Sequence, residues 1–181
     1  MVKRFFDVLF SLIGLLCTSP IILFFWILAS IDTQSNGFFI QERIGQWGKV
    51  FKIYKLQTIH PLTRKMSFFG AFLRKSKMDE IPQLWNVLKG EMSFVGPRPD
   101  IAGYYDLLQG EARKILELKP GITSEASIKY KNEDFLLKQQ SNPLEYNDTV
   151  IFPDKVQMNL DYYYNHSFWG DIKVICKTVF I

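Results

Sequence analysis

Cysteine and histidine are nearly absent, with two of each among 181 residues. Cys17 and Cys176 stand far apart in apolar surroundings, so a disulfide framework is set aside and both are expected to be small buried hydrophobes. His60 and His166 share no cluster with them; no transition-metal site is supported, and both histidines are expected in loops. Charge is missing from Val8 to Ile31, 24 consecutive residues. Negative charge is missing from Arg43 to Met78, a stretch that holds nine Lys or Arg. No zinc-ligand spacing, helix-turn-helix or RNA-binding signature accompanies that basic run, which argues against nucleic acid as its partner. An anionic ligand, an anionic lipid surface, or both remain. No internal repeat or low-complexity tract is present.

As a helix, the uncharged stretch would be ~36 Å long, enough to span a bilayer. It is too long for a secretory signal peptide and no small-residue cleavage pattern follows it. Ser19 and Pro20 lie near its middle, and the proline, which lacks a backbone donor, predicts a kink there. Lys3 and Arg4 favour a cytoplasmic N-terminus, yet the basic run from Arg43 favours the cytoplasm on the far side too. A plain span and a hairpin that bends at Ser19-Pro20 both stay open on these grounds.

Residues 1–32 therefore read as a membrane segment and 33–181 as one small membrane-associated domain, of the α+β class and mostly helical. Phe38 to Gly45 and Lys49 to Lys55 read as a short β-hairpin around the Gly45–Gly48 turn. Ser67 to Lys75 predict a helix whose Phe68, Phe69, Phe72 and Leu73 face either lipid or the domain's own core. Pro82 suits a first helical turn, so a helix is expected from about Glu80 to Lys89, stopped by Gly90. Further helices are expected at 101–118, 132–140, 154–165 and 168–180.

The chemistry-bearing residues crowd into 74–99. Asp79-Glu80 is either a solvated first turn or a reacting carboxylate pair. A helix N-terminus would keep Asp79 ionised, as a nucleophile requires, and would hold a phosphate together with Arg74. Pro97-Arg98-Pro99 is either a surface turn or a guanidinium held stiffly for bidentate phosphate contact. Two carboxylates near a diphosphate also invite Mg²⁺, which takes oxygen ligands and bridges phosphates.

Arg74-x-x-x-x-Asp79-Glu80-x-Pro82-Gln83-Leu84-x-Asn86-Val87-Leu88-x-Gly90-x-Met92-Ser93-x-Val95-Gly96-Pro97-Arg98-Pro99 resembles the signature of the bacterial sugar transferases, the monotopic polyprenyl-phosphate phosphoglycosyl transferases. The likeness takes in Lys3-Arg4-x-x-Asp7, Gln41-x-Arg43-x-Gly45-x-x-Gly48-Lys49-x-Phe51-x-Ile53-Tyr54-Lys55, Pro120-Gly121-Ile122-Thr123 and Asp161-Tyr162-Tyr163 with Asp171. It covers nearly the whole chain. The resemblance implies an enzyme on the cytoplasmic face of the bacterial inner membrane. It would transfer a sugar-1-phosphate from a UDP-sugar to a polyprenyl phosphate such as undecaprenyl phosphate. Asp79 is implied as nucleophile, Glu80 as its helper, and Mg²⁺ as bound beside both. Lys55, Arg74, Pro97 and Arg98 are implied at the phosphates or nucleotide. The family's membrane segment is a re-entrant helix broken at a Ser-Pro pair, which Ser19-Pro20 match, so the hairpin becomes the expectation.

Three departures stand out. Lys55-Leu56-Gln57 replaces Lys-Phe-Arg, residues 59–67 form a short connection, and 124–130 lack the usual glycine-tryptophan-type continuation. They bear on the choice of sugar or nucleotide, which the sequence leaves open along with oligomeric state. The alternative reading is a catalytically silent membrane-anchored nucleotide-sugar-binding or scaffold protein of the same pathway.

Overall fold

The computed structural model describes residues 2–180; Met1 and Ile181, at the outer ends of the two expected segments, lie outside the described residues. The chain forms two compact units, residues 1–43 with 50–91 and residues 44–49 with 92–181. The architecture is mostly helical with two small sheets, one a two-stranded antiparallel hairpin.

Unit 1 begins with helix α1 (Val2–Thr33), long and apolar enough to cross a membrane. Its surface is inverted relative to a soluble helix. Leu12, Leu16, Leu23, Phe24, Ile27 and Ile31 are exposed, while the buried side chains are Asp7, Ser11, Ala29 and Thr33. Such a surface needs an apolar surrounding, and in one every polar group must be satisfied from within. That condition is met for all five hydroxyls of the helix. Ser11, Thr18, Ser19, Ser30 and Thr33 each donate to a carbonyl one turn back. The helix continues through Pro20, whose missing amide would have served Leu16 O; Ser19 Oγ donates to that carbonyl instead, at 3.0 Å.

Strands β1 (Phe38–Ile44) and β2 (Val50–Leu56) form the expected hairpin. Helix α2 (Phe68–Lys75) follows, capped by Ser67, whose Oγ accepts from Gly70 N at 2.9 Å and donates to Asp32 Oδ2 at 2.6 Å. Gly70 is required because a Cβ there would lie 2.2 Å from Thr58 O. The two readings of this helix's apolar face divide by residue. Phe69 and Phe72 pack near Phe25 of α1, at ring separations of 6.1 and 6.4 Å, whereas Phe68 is 93% exposed.

The single helix expected from Glu80 to Lys89 is instead a 3-10 turn, Met78–Gln83, followed by helix α3 (Leu84–Lys89). Pro82 is the physical reason: it has no N–H to donate to Met78 O, so α-type bonding cannot run through the segment. Gly90 does end α3, in the left-handed conformation (φ 88°). Arg4 reaches from α1 to the last carbonyls of α3, donating to Val87 O at 2.7 Å and Leu88 O at 2.9 Å. A cation at a helix C-terminus both satisfies orphan carbonyls and complements the dipole.

Unit 2 contains a sheet that the strand pattern does not announce. Strand β3 (Ser93–Val95) pairs in parallel with β4 (Gly121–Thr123), Ser93 opposite Gly121 and Val95 opposite Thr123. Three-residue strands carry too little alternation to be read from sequence. The helix expected at 101–118 is replaced by two 3-10 segments, Tyr105–Leu107 and Gly110–Glu117. Positive φ at Gly103 and Gly110 and the carboxylate of Asp106, which accepts from the Gly103 and Tyr104 amides, break it up. Short helices α4 (Glu125–Lys129), α5 (Glu133–Lys138) and α6 (Pro143–Tyr146) lead to α7 (Phe152–Asn165) and α8 (Phe168–Phe180). The unit's core joins Ile44, Tyr105, Ile115 and Leu116 to Phe152, Val156 and Leu160.

Cys17 and Cys176 are free, as expected of an undisulfided pair, but both are exposed rather than buried. They sit on helix faces that the chain itself leaves uncovered, among exposed apolar neighbours.

Gly96 and Gly121 cross so closely that a Cβ on Gly121 would lie 2.1 Å from Gly96 N. Neither backbone can yield without breaking the β3–β4 pairing. Gly121→Ala is therefore expected to cost about 3 kcal/mol, read as a lower unfolding midpoint of the detergent-solubilised protein; an unchanged midpoint would count against this crossing.

Candidate functional site

The carboxylate pair closely follows a left-handed residue, Lys77. Helix α2 ends at Ser76, Lys77 adopts φ 57°, and the chain reverses into the 3-10 turn that presents Asp79 and Glu80. Glu80 N donates back to Lys77 O at 3.2 Å. Asp79 is only 6% exposed, and its Oδ1 is buried without a hydrogen-bond partner. Native interiors seldom leave such an atom orphaned unless a function uses it.

Glu80 is partly buried and ion-paired, with Oε1 2.6 Å from Lys55 Nζ on β2. Burial raises the Asp79 carboxyl above its ordinary value, and the neighbouring Glu80 charge adds to the rise. Lys55, Lys77 and Arg74 oppose it. Asp79 is thus a poorly hydrated carboxylate surrounded by three cations. This differs from the sequence expectation of a helix end that favours the ionised form: the 3-10 turn offers a weak dipole, and desolvation dominates.

Of the expected site residues, Asp79, Glu80, Lys55 and Arg74 all belong to unit 1, with Arg74 exposed on the last turn of α2. Ser19 and Pro20 lie midway along α1. Pro97 and Arg98 belong to unit 2, where the buried Pro97 accepts a hydrogen bond from Gly121 N at 2.8 Å and Arg98 is exposed. Gly96 N donates to Thr123 O at 3.0 Å, and Tyr162 Oη lies 2.6 Å from buried Asp171 Oδ1 and 3.3 Å from Val95 O. The Pro97-Arg98-Pro99 turn therefore leaves a strand end fixed on several sides.

Two contributors escaped sequence reasoning. Lys77 acts on Asp79 through its charge, and its place directly before the pair was the available signal. Buried Asn86 stands in the family signature without a role attached, and its bonds to β2 are what that pattern did not disclose. The departures from the family pattern also acquire structure: Gln57 Nε2 donates to Ile59 O at 2.5 Å, and Ser124 caps α4 by accepting from Ser127 N at 3.0 Å.

The donor set suits Mg²⁺ in one respect. Among the described residues no group of three or more His, Cys, Asp or Glu comes together, so there is no all-protein cage. The orphaned Asp79 Oδ1 beside Glu80 instead offers the one or two carboxylates with which Mg²⁺ characteristically binds, the rest of its shell being water and phosphate.

The family model described as bacterial sugar transferase matches residues 1–181. The uncharacterized sugar transferase EpsL of Bacillus subtilis (strain 168) is 35% identical over 187 residues, covering 98% of this chain and 85% of that protein. The UDP-glucose:undecaprenyl-phosphate glucose-1-phosphate transferase of Klebsiella pneumoniae is 33% identical over 197 residues, 98% of this chain and 39% of its own. The undecaprenyl-phosphate galactose phosphotransferase of Salmonella typhimurium is 28% identical over 203 residues, 97% of this chain and 39% of its own. The chain thus spans about two-fifths of the latter two proteins.

A carboxyl whose value is raised by folding binds protons more tightly in the native state, so it lowers stability as pH climbs from the ordinary carboxylate range through the raised value. Asp79→Asn removes that penalty. Its unfolding midpoint should exceed that of the unaltered protein at neutral pH, with a margin that shrinks as pH falls into the carboxylate range; a pH-independent margin would refute the raised carboxyl.

Proposed function

The chain belongs to the bacterial sugar transferase family, and on that premise we propose that it transfers a sugar-1-phosphate from a UDP-sugar to a membrane polyprenyl phosphate through a phosphosugar carried on Asp79. The observation that carries the reading is the orphaned, buried Asp79 oxygen among Lys55, Lys77 and Arg74. In the first step an Asp79 oxygen attacks the donor's β-phosphorus, the bond from that phosphorus to the bridging oxygen breaks, and UMP departs with that oxygen. In the second, a phosphate oxygen of the polyprenyl phosphate attacks the same phosphorus, and the bond to Asp79 breaks. The products are a polyprenyl-diphosphate sugar and the free carboxylate.

Burial suits Asp79 to this task, because a carboxylate with little hydration has little to shed before attacking. The three cations oppose the burial penalty on its charged form and supply the positive field that an incoming diphosphate needs. Glu80 holds Lys55 in place through their 2.6 Å ion pair. Arg98, on its proline-flanked turn, serves as a further phosphate contact. Asp79 and Glu80 are the residues that would hold Mg²⁺, whose charge, when bound, would offset that of the donor's phosphates.

The relatives named for undecaprenyl-phosphate transfer support a lipid-linked acceptor, and the outward-facing apolar surface of α1 supports a site at the membrane. We assign α1 to a re-entrant hairpin in the inner membrane, with both ends and the catalytic part on the cytoplasmic side. The contacts of both ends of α1 support that reading, because Arg4 bonds to Val87 O and Leu88 O and Asp32 accepts from Ser67, all within unit 1.

Purified protein incubated with Mg²⁺, undecaprenyl phosphate and UDP-glucose, UDP-galactose, UDP-N-acetylglucosamine or UDP-N-acetylgalactosamine should release UMP with at least one donor. Asp79→Asn should abolish release, a loss of at least about 10³-fold. Mass spectrometry without acceptor should find the phosphosugar on Asp79; an adduct on Glu80 would reverse the roles. For topology, single cysteines at Val2 and Asn36, in a background of Cys17→Ser and Cys176→Ser, should label from the same side of the membrane. Labelling from opposite sides would exclude the hairpin.

A further inference from the structure

Asn86 is the polar side chain that the proposed chemistry leaves unused, and its surroundings are unusual. It lies in α3, has no solvent exposure, and makes three side-chain hydrogen bonds. Its Nδ2 donates to Lys52 O at 2.7 Å and to Glu91 Oε2 at 2.8 Å, while Oδ1 accepts from Tyr54 N at 3.3 Å. The amide orientation is fixed by this set, since the opposite one would turn its oxygen toward two acceptors.

The pairing with β2 has a recognisable form. In a parallel sheet, a residue opposite position i donates to the carbonyl of i−1 and accepts from the amide of i+1. Asn86 does this with one side chain opposite Ile53, a core residue that is 2% exposed. Its carboxamide thus stands in for a one-residue neighbouring strand on the edge of β2. One residue past Tyr54, the same strand carries Lys55, and six residues before Asn86 the same segment carries Glu80. Two ties therefore join β2 to residues 78–89, the carboxamide at one end and the Lys55–Glu80 ion pair at the other.

We propose that Asn86 is a positioning residue for the transfer reaction: by acting as a surrogate strand for β2, it sets the Lys55 ammonium against Glu80 and the buried Asp79. This rests on the functional reading above. Long side chains such as lysine have many rotamers, and an ion pair alone fixes neither the strand's register nor its distance from the pair. Two bonds from a buried amide to backbone groups of β2 do fix the register, and a third holds the amide to Glu91. Glu91, which also pairs with Lys89 at 2.6 Å, completes the anchor from the far side.

The test is a double-mutant cycle with a second readout that needs no turnover. Asn86→Leu keeps an apolar bulk but leaves Lys52 O and Tyr54 N–H without their partner. It should lower kcat for UMP release by about 30-fold, with little change in the donor KM. In a Lys55→Ala background the same substitution should cost less than about 3-fold, because the lysine it positions is gone. Equal losses in both backgrounds would overturn the proposal. Independently, labelling of Lys55 by an amine-reactive reagent, read by mass spectrometry against Lys177, should rise several-fold in Asn86→Leu; unchanged labelling would overturn it as well. Because labelling requires no catalysis, failure of the unaltered protein to release UMP sinks the functional reading while this arm still decides the role of Asn86. Should Asn86→Leu fail to fold, Asn86→Asp, which retains the acceptor for Tyr54 N–H and loses the donor to Lys52 O, goes through the same cycle. If neither folds, Asn86 is a folding residue only and the proposal falls.

Discussion

Burying a carboxylate beside a second carboxylate is unfavourable twice over, by desolvation and by like-charge repulsion, and unit 1 is arranged to bear that cost at Asp79. Lys55, Lys77 and Arg74 arrive from a strand, a turn and a helix end to offset it. Each cation comes from a different element, so the site exists only when those elements are docked. The local strain is visible in the backbone, where Lys77 occupies the left-handed region and Pro82 blocks α-type bonding. On the proposed mechanism stability and reactivity are set against each other: an uncharged residue would pack more comfortably and could not attack phosphorus.

The apolar helix changes how the rest of unit 1 is held. Its buried positions are mostly small or polar, and its apolar side chains face outward, so it gives the unit little hydrophobic core. What binds it to the chain is directional instead. Arg4 reaches α3, Asp32 accepts from Ser67 at the start of α2, and Trp26 donates to Asn36 O at 2.6 Å. Hydrogen bonds of this kind fix orientation more than they supply affinity, which suits the lipid-linked acceptor proposed above.

The elements that were legible in the sequence are those with long periods or strong punctuation. The uncharged run gave α1, Gly90 gave the end of α3, Ser67 gave the start of α2, and the alternation around Gly45–Gly48 gave the hairpin. The carboxylate pair and its arginines stood out because a basic run without acids ends in two adjacent acids. Other features were illegible for physical reasons. A three-residue parallel strand has no period to read, and its pairing depends on the Gly96–Gly121 approach across 25 residues of chain. The breakup of 101–118 turned on Asp106 accepting from amides two and three residues earlier, a local competition that helix propensity does not register. The surrogate strand of Asn86 depends on tertiary placement alone. Exposure of Cys17 and Cys176 was misjudged because apolar neighbours along a helix do not tell whether another element covers that face.

The bond from Arg4 to the end of α3 closes a loop of more than eighty residues. A contact of such separation forms late, after its distant half has been synthesised, whereas α1 emerges first and its hydroxyls are satisfied by its own carbonyls. The hydroxyls of the helix need no later residue, whereas Arg4 and Asp32 find their partners only once α3 and Ser67 have been made. Assembly then has a built-in order, in which α1 is in place when residues 84–89 arrive and dock onto the Arg4 guanidinium. The turn that carries Asp79 and Glu80 is consequently completed against a helix that is already made.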